Sequence, residues 1–198
     1  MKLVIGITGA PLAGKETAAN IIAELIQKDG HTVSRHRFSD ILRDTLDLWG
    51  LPHGRINEQN MAQLMIVPQF FGKNTLSNAM KARLKRDATD VGVIDGVRWF
   101  SDEDMIMKDL PRDGVKGLIV YVDADPDIRF KRLQIRQRAG EAHTTREEFD
   151  MQGKRENEIY IAEIGNRAQI KLLNNYDSVD DFKNDVIMEY EKNIKPLL

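Results

Sequence analysis

Three residues near the start of the chain, Gly9, Gly14 and Lys15, have the types and spacing needed to bind a phosphate group. Glycines let a loop curl so that several backbone N–H groups point at one anion, and a following helix adds its positive N-terminus. An ordinary strand–turn–helix connection would explain the glycines, but it would not explain a cation at a helix start. We therefore predict an ATP-binding loop that contains Gly9, Ala10, Pro11, Leu12, Ala13, Gly14, Lys15, Glu16 and Thr17, with Lys15 as a catalytic residue.

The residue after Lys15 departs from the usual phosphate loop, in which a Ser or Thr hydroxyl at that position binds magnesium. This chain has Glu16 there, and Thr17 comes one residue late. The Glu16 carboxylate could bind Mg²⁺, or it could be a favourable acid in the first turn of a helix. Because Mg²⁺ readily keeps several water ligands, both interpretations are compatible with a working site for ATP and Mg²⁺.

Two short motifs place an arginine soon after other strands: "FSDILR", Phe38–Arg43, and "DGVR", Asp95–Arg98. They resemble motifs of the nucleoside monophosphate kinases, a group of P-loop kinases that includes the adenylate kinases. The resemblance implies that Arg43 and Arg98 grip the phosphate of an acceptor and that Asp95 lies near magnesium, directly or through water. "DGVR" lacks the Pro that adenylate kinases usually carry before this Arg. Arginine also suits the role physically, because its planar fork matches two phosphate oxygens.

Further along, the chain is similar to two other kinds of P-loop kinase. The loop "GKET" resembles the "GKDT" of some deoxynucleoside monophosphate kinases. Those proteins and relatives of dephospho-coenzyme A kinase share an order of segments that this chain also has, namely "VDAD", an arginine-rich helix, a short lid and a helix that starts at Thr. The resemblance covers most of the chain in order.

An arginine-rich segment carries Arg129, Arg132 and Arg136 on one face of a predicted helix, and Arg138 follows. Phosphoryl transfer needs cations around the moving group, and one arginine there can raise the rate by about 10³–10⁵. We predict that residues 136–155 form a small lid and that Arg132, Arg136 and Arg138 are catalytic. The alternative is a solvated basic face balanced by acidic residues, which are Glu147, Glu148 and Glu156.

Strands that alternate with helices predict an α/β fold. We expect a three-layer P-loop fold with a central five-stranded parallel sheet, helices on both faces and a small helical lid. The predicted strands are Leu3–Thr8, Thr32–Phe38, Val91–Asp95, Lys116–Asp125 and Ile170–Leu173. Residues 1–198 are predicted to form one domain with a helical, acceptor-binding insert at about 39–88.

Capping residues predict where three helices begin. Ser39 or Asp40 can cap the second helix, and Thr144 with Glu147 has the spacing of a capping box. Ser178 is the expected start of the last helix.

The amino-acid composition of the chain excludes several classes of function. The chain has 198 residues and a formal net charge of −2, which gives no general attraction to nucleic acid or to an anionic membrane. It has no cysteine, so disulfides, thiol catalysis and Cys-ligated zinc are excluded. The apolar run at its start is too short for a signal peptide, and no run is long enough to span a bilayer. We expect a cytoplasmic protein with small-molecule nucleotide substrates.

These observations favour an ATP- and Mg²⁺-dependent phosphotransferase whose acceptor is a nucleoside or deoxynucleoside monophosphate. One alternative is a kinase that acts on a hydroxyl, as dephospho-coenzyme A kinase does, with Asp40 accepting the proton. A second alternative is an ATPase switch or assembly factor in which water or a protein partner replaces the acceptor.

Overall fold

A parallel sheet forms the centre of the structure, a computed structural model that describes residues 1–66, 72–136, 144–152 and 159–198. Within those residues its five strands are β1 (Leu3–Thr8), β2 (Val33–Arg37), β3 (Val91–Val97), β4 (Lys116–Asp123) and β5 (Ile170–Leu173). They lie in the order β2-β3-β1-β4-β5, and each neighbouring pair is parallel. The predicted α/β fold is confirmed, and the carboxyl ends of these strands meet at one edge of the sheet.

Helices connect the strands and cover both faces of the sheet. Within the described residues the α-helices are α1 (Lys15–Lys28), α2 (Phe38–Leu48), α3 (Arg55–Ile66), α4 (Thr75–Arg86), α5 (Phe100–Asp104), α6 (Leu110–Arg112), α7 (Pro126–Arg136), α8 (Arg146–Gln152), α9 (Ile161–Arg167) and α10 (Val179–Glu189). A π-helical turn, Met105–Asp109, joins α5 to α6. Among these described helices, none combines the length and the apolar character needed to cross a lipid bilayer.

Two apolar layers, one on each face of the sheet, fix the helices. All six residues of β1 are buried, as the sequence of a central parallel strand predicts. One layer contains Ile22 of α1 together with Phe182 and Tyr190, which belong to α10 and the turn after it. The other layer contains Met80 of α4 and Ile106 of the π-helical turn. The sheet edge between these layers is therefore a rigid base for the loops that leave it.

The predicted boundary of β3 is wrong, because the strand continues to Val97 instead of ending at Asp95. The register between β1 and β3 shifts by one residue after Ile7, so that Thr8 pairs with Val97. The hydroxyl of Thr8 donates to the Val97 carbonyl at 2.8 Å and closes this irregular end. Asp95 and Gly96 are consequently part of the strand, and only Arg98 of the "DGVR" motif lies beyond it.

The predicted caps of two helices are also displaced. Helix α2 begins at Phe38 with Arg37 as its N-cap residue, and Asp40 reaches back from the third helical position to accept the Arg37 backbone N–H at 2.9 Å. The capping box of α8 is made by Thr145 and Glu148, one residue later than predicted: the Glu148 carboxylate accepts the Thr145 N–H and the Thr145 hydroxyl accepts the Glu148 N–H. The predicted cap at Ser178 is confirmed.

A buried carboxylate fixes the corner that follows β3. Asp102 is 1% exposed and accepts the backbone N–H groups of Arg98 and Trp99, each at 3.1 Å. Its other oxygen, Oδ1, is buried without a hydrogen-bond partner among the described residues. Burial raises the pKa of Asp102 from 3.8 to about 7, although the two N–H groups act in the opposite direction.

Asp102 should make the stability of the fold depend on pH. Between about pH 4 and pH 7 the folded carboxyl keeps a proton that the unfolded one releases. Its contribution to the free energy of unfolding is therefore complete at low pH and falls by about 1.4 kcal/mol for each pH unit across that window. Replacing Asp102 with Asn removes this titration while keeping an oxygen for both N–H groups. In urea titrations across the window, we expect Asp102→Asn to lose less stability with rising pH than the wild type does.

The control is Asp104→Asn in the same helix, where the side chain is 48% exposed. That variant should keep the wild-type dependence on pH. Equal slopes for the wild type and Asp102→Asn would show that Asp102 does not hold a proton in the folded state.

Candidate functional site

The loop between β1 and α1 has the backbone of a phosphate loop. Gly9, Leu12 and Gly14 have positive φ angles of 146°, 66° and 104°, which turn the chain tightly in front of the helix. A Cβ atom at Gly9 would lie 2.1 Å from the Val122 carbonyl oxygen, so only glycine fits there. Gly14 is the N-cap of α1 and has no side chain to occupy the first backbone N–H groups of that helix. The loop therefore offers an anion the backbone donors that the sequence predicts.

Lys15, the first residue of α1, lies back over this loop. Its ammonium group donates to the Ala10 carbonyl at 2.9 Å. The catalytic role of Lys15 stays a prediction, which the position of the lysine at the start of α1 allows.

Side chains from two distant segments of the chain, Asn174 and Arg132, hold the loop in shape. The Asn174 side chain, just after β5, donates to the Ala13 carbonyl at 2.8 Å. A Cβ at Gly14 would lie 2.3 Å from the Asn174 amide nitrogen, so the second glycine of the motif is needed for this contact. Arg132 of α7 donates to the Leu12 carbonyl at 3.2 Å and to the Asn174 carbonyl at 2.9 Å.

Arg132 therefore joins the phosphate loop to the segment after β5. Its guanidinium group also donates to the Tyr176 carbonyl at 2.9 Å. Burial lowers the pKa of Arg132 from its ordinary value. The guanidinium group nevertheless stays charged, because arginine does not lose its proton in proteins. In this arrangement Arg132 fixes the loop backbone, and the catalytic contact predicted for it remains a prediction. A recess of about 140 Å³ lies beside it, and its lining includes Leu12, Thr17, Asn174, Tyr176 and Phe182.

On the opposite side of Lys15, an acidic side chain and an arginine meet. Glu16 accepts a hydrogen bond from Arg37, the last residue of β2. Magnesium binding and a favourable contact with the helix dipole are the two predicted roles of Glu16, and the structure adds an ion pair. Arg37 is absent from the predicted site residues, although its position at the carboxyl end of a strand was a usable signal.

Asp95 lies at the centre of the charged groups. It is next to Arg37 in the parallel register of β2 and β3. Burial raises the pKa of its carboxyl above the ordinary value. The positive charges of Lys15, Arg37 and Arg98 lower it, so all three lie within electrostatic range. The Glu16 carboxylate acts in the opposite direction, so the structure brings two carboxylates and three cations to the same edge of the sheet.

The surroundings of Asp95 fit a magnesium ion. Its Oδ1 is buried and has no hydrogen-bond partner in the described part of the chain. A buried carboxylate oxygen beside a phosphate loop is the single protein ligand that Mg²⁺ often takes, with phosphates and water as the others. Within the described residues there is no group of three or more His, Cys, Asp or Glu side chains that could form a metal site by themselves.

The predicted acceptor residues lie at two places. Arg98 follows β3 next to Asp95, and Asp102 holds its backbone. Arg43 lies on α2, where its Nε donates to Glu58 of α3 at 2.9 Å and its Nη1 is 3.7 Å from Asp40. The hydrogen bond to Glu58 raises the pKa of Arg43. Nothing in the sequence motif pointed to Glu58.

The predicted lid is described only in part. Arg136 ends α7, whereas Arg138 and the rest of 137–143, together with 153–155, lie outside the described residues. The described helix α8 carries Phe149, whose ring centre is 5.5 Å from that of Phe130 on α7. Arg146, which starts α8, pairs with Asp150 and Asp127.

The chain is similar to proteins that share this fold. A UPF0200 protein of Methanosarcina barkeri is 24% identical over 184 residues, which cover 93% of this chain and 92% of that protein. A UPF0200 protein of Hyperthermus butylicus is 25% identical over 182 residues, which cover 92% of this chain and 90% of that protein. The crystal structure of shikimate kinase from Bacteroides thetaiotaomicron aligns with a TM-score of 0.58 at 17% identity, over 98% of each chain.

The resemblance to P-loop kinases is confirmed at the level of the fold by these comparisons. A family model described as an AAA domain matches residues 8–150, which span the phosphate loop, the sheet edge around Asp95 and helix α7. The chain therefore belongs to this AAA-domain family.

Proposed function

We propose that the protein is an ATP- and Mg²⁺-dependent kinase that transfers the γ-phosphoryl group of ATP to a phosphate of a small acceptor, a nucleoside or deoxynucleoside monophosphate. The observation that carries the proposal is the buried, unpartnered oxygen of Asp95 beside the phosphate loop and within range of Lys15, Arg37 and Arg98. A carboxylate with three cations at the end of a parallel strand suits a magnesium–phosphate ligand.

The donor would lie across the phosphate loop. Backbone N–H groups at the start of α1 and the charge of Lys15 would bind its β- and γ-phosphates. Asp95 would hold hydrated Mg²⁺, which when bound neutralises charge on the phosphates. The recess lined by Tyr176 and Phe182 also borders Leu12 and Gly14 of the loop and would take the base of the donor.

The acceptor would lie on the side of α2. Arg98 and Arg43 would bind its phosphate, with Arg43 leaving part of its present contact with Glu58 to do so. A charged hydrogen bond to phosphate contributes about 1.5–3 kcal/mol, which is more than a half-exposed ion pair provides.

The transfer itself asks little of the protein beyond position and charge. An oxygen of the acceptor phosphate forms a bond to the γ-phosphorus as the bond to the β-phosphate oxygen breaks, and ADP leaves. The attacking phosphate is already an anion, so no general base is required.

A hydroxyl acceptor is the second candidate, and one observation favours it. The Asp40 side chain is 35% exposed at the carboxyl end of β2, beside Arg43, where it could accept the proton of a hydroxyl. Its hydrogen bond from the Arg37 N–H would hold that carboxylate in place.

Lys15→Ala should remove most of the activity without unfolding the protein. The described hydrogen bond of the lysine goes to the Ala10 carbonyl of its own loop, and its charge would be needed chiefly while the phosphoryl group moves. We expect phosphoryl transfer to fall by about 10³, which corresponds to about 4 kcal/mol of transition-state stabilisation. The rate with radiolabelled ATP measures this loss. Lys28→Ala, at the other end of α1, should keep the wild-type rate. Near-normal turnover in folded Lys15→Ala would contradict the assignment.

The acceptor should be identified with radiolabelled ATP, Mg²⁺ and a panel of compounds: ribo- and deoxyribonucleoside monophosphates, dephospho-coenzyme A, and water alone. We expect a nucleoside diphosphate as the product. Arg43→Ala and Arg98→Ala should each weaken use of the acceptor by about 1.5–3 kcal/mol and change ATP affinity much less. Arg86→Ala, an exposed arginine at the end of α4, is the control.

Asp40→Asn separates the two kinds of acceptor. It should retain transfer to a phosphate, since no proton must be removed, but it should nearly abolish transfer to a hydroxyl. Label on dephospho-coenzyme A that is lost in Asp40→Asn would favour the hydroxyl kinase. Label that appears only as free phosphate, whatever acceptor is present, would overturn the kinase proposal in favour of an ATPase switch.

A further inference from the structure

The residue in place of the usual magnesium-binding hydroxyl makes a contact that a hydroxyl could not replace. Glu16 pairs with Arg37 across the gap between the start of α1 and the end of β2. The two side chains are 55% and 37% exposed, so ligands can reach both. The pair therefore lies at the mouth of the proposed site and not in the apolar core.

The position of Arg37 suggests a contact with the γ-phosphoryl group of the donor. Its partner, Glu16, directly follows Lys15, and its neighbour in the sheet register is Asp95. In the usual phosphate loop the residue at the position of Glu16 faces the metal that bridges the β- and γ-phosphates. Arg37 consequently lies where a γ-phosphoryl group would arrive, on the side toward α2 and the predicted acceptor residues.

The Glu16–Arg37 ion pair is weak enough for a phosphate group to replace Glu16 as the partner of Arg37. Exposed ion pairs between two long side chains contribute little to stability, because water screens them and the side chains lose freedom. A phosphoryl group carries more negative charge than a carboxylate and accepts two parallel hydrogen bonds from arginine. Phosphate can therefore displace Glu16 from Arg37 at low cost.

We infer that Arg37 binds the γ-phosphoryl group of the donor and that Glu16 holds Arg37 in position until the donor replaces it. This inference rests on the proposed function and adds a residue to it. It also gives the unusual Glu16 a role that does not require direct contact with metal.

The test compares binding of two probes that differ by one phosphoryl group. Calorimetry measures the affinity of the Mg²⁺ complexes of ADP and of the non-hydrolysable β,γ-imido analogue of ATP. We expect Arg37→Ala to weaken the triphosphate analogue by about tenfold or more and ADP by less than about threefold. Arg35→Ala is the matched control, because Arg35 lies on the same strand but two residues further from the sheet edge. It should change neither affinity.

Glu16→Gln tests whether Glu16 competes with the donor for Arg37. Without the carboxylate, Arg37 no longer has to leave a partner, so the triphosphate analogue should bind up to about fivefold more tightly. In the Arg37→Ala background the same change should bring a smaller gain, because the competition no longer exists. Weaker binding in Glu16→Gln, which magnesium in excess restores, would overturn the inference in favour of a metal-binding Glu16.

Other outcomes separate this inference from the proposed function. If the wild type binds neither probe, both fail. If the wild type binds the triphosphate analogue and Arg37→Ala binds it equally well, only the inference about Arg37 fails. If Arg37→Ala loses equal affinity for ADP and for the analogue, Arg37 does not contact the γ-phosphoryl group. Arg37→Gln, which keeps a polar side chain at the N-cap of α2, replaces Arg37→Ala if thermal unfolding shows that the alanine variant does not fold.

Discussion

The charge balance around Asp95 is the constraint on which the rest of the site depends. A carboxylate with a buried, unpartnered oxygen is unfavourable unless positive charges lie nearby. Lys15, Arg37 and Arg98 meet that need from three different segments, which are α1, β2 and the end of β3. Because these three cations outnumber the carboxylates of Asp95 and Glu16, the same arrangement suits an anion such as phosphate.

The apolar layers make this arrangement possible by bringing distant parts of the chain to one edge of the sheet. The phosphate loop is fixed on one side by Asn174 and Arg132, which contact the carbonyls of Ala13 and Leu12. On the other side, Thr8 closes the irregular end of β3 and Asp102 holds the backbone that carries Arg98. Few of these residues would touch a substrate, yet they determine where the charged groups lie.

Two of the arginines near the site, Arg37 and Arg43, share one property: each pairs with an acidic side chain. Arg37 pairs with Glu16, and Arg43 pairs with Glu58. Such pairs keep an arginine in a defined place in the absence of a ligand, at little energetic cost when phosphate replaces the carboxylate. This property agrees with a site that binds and releases a charged substrate in each turnover, which we propose for this protein.

The sequence by itself determined the α/β fold and the phosphate loop, because both follow from local patterns: a short apolar strand, two glycines at fixed spacing and a lysine at a helix start. Tertiary structure alone decided that Glu16 pairs with Arg37, that Arg132 binds loop carbonyls, and that β3 runs on to Val97. These contacts join residues far apart in the chain, and their partners depend on the order of the strands and on the one-residue register shift after Ile7. Spacing within a segment carries no information about either.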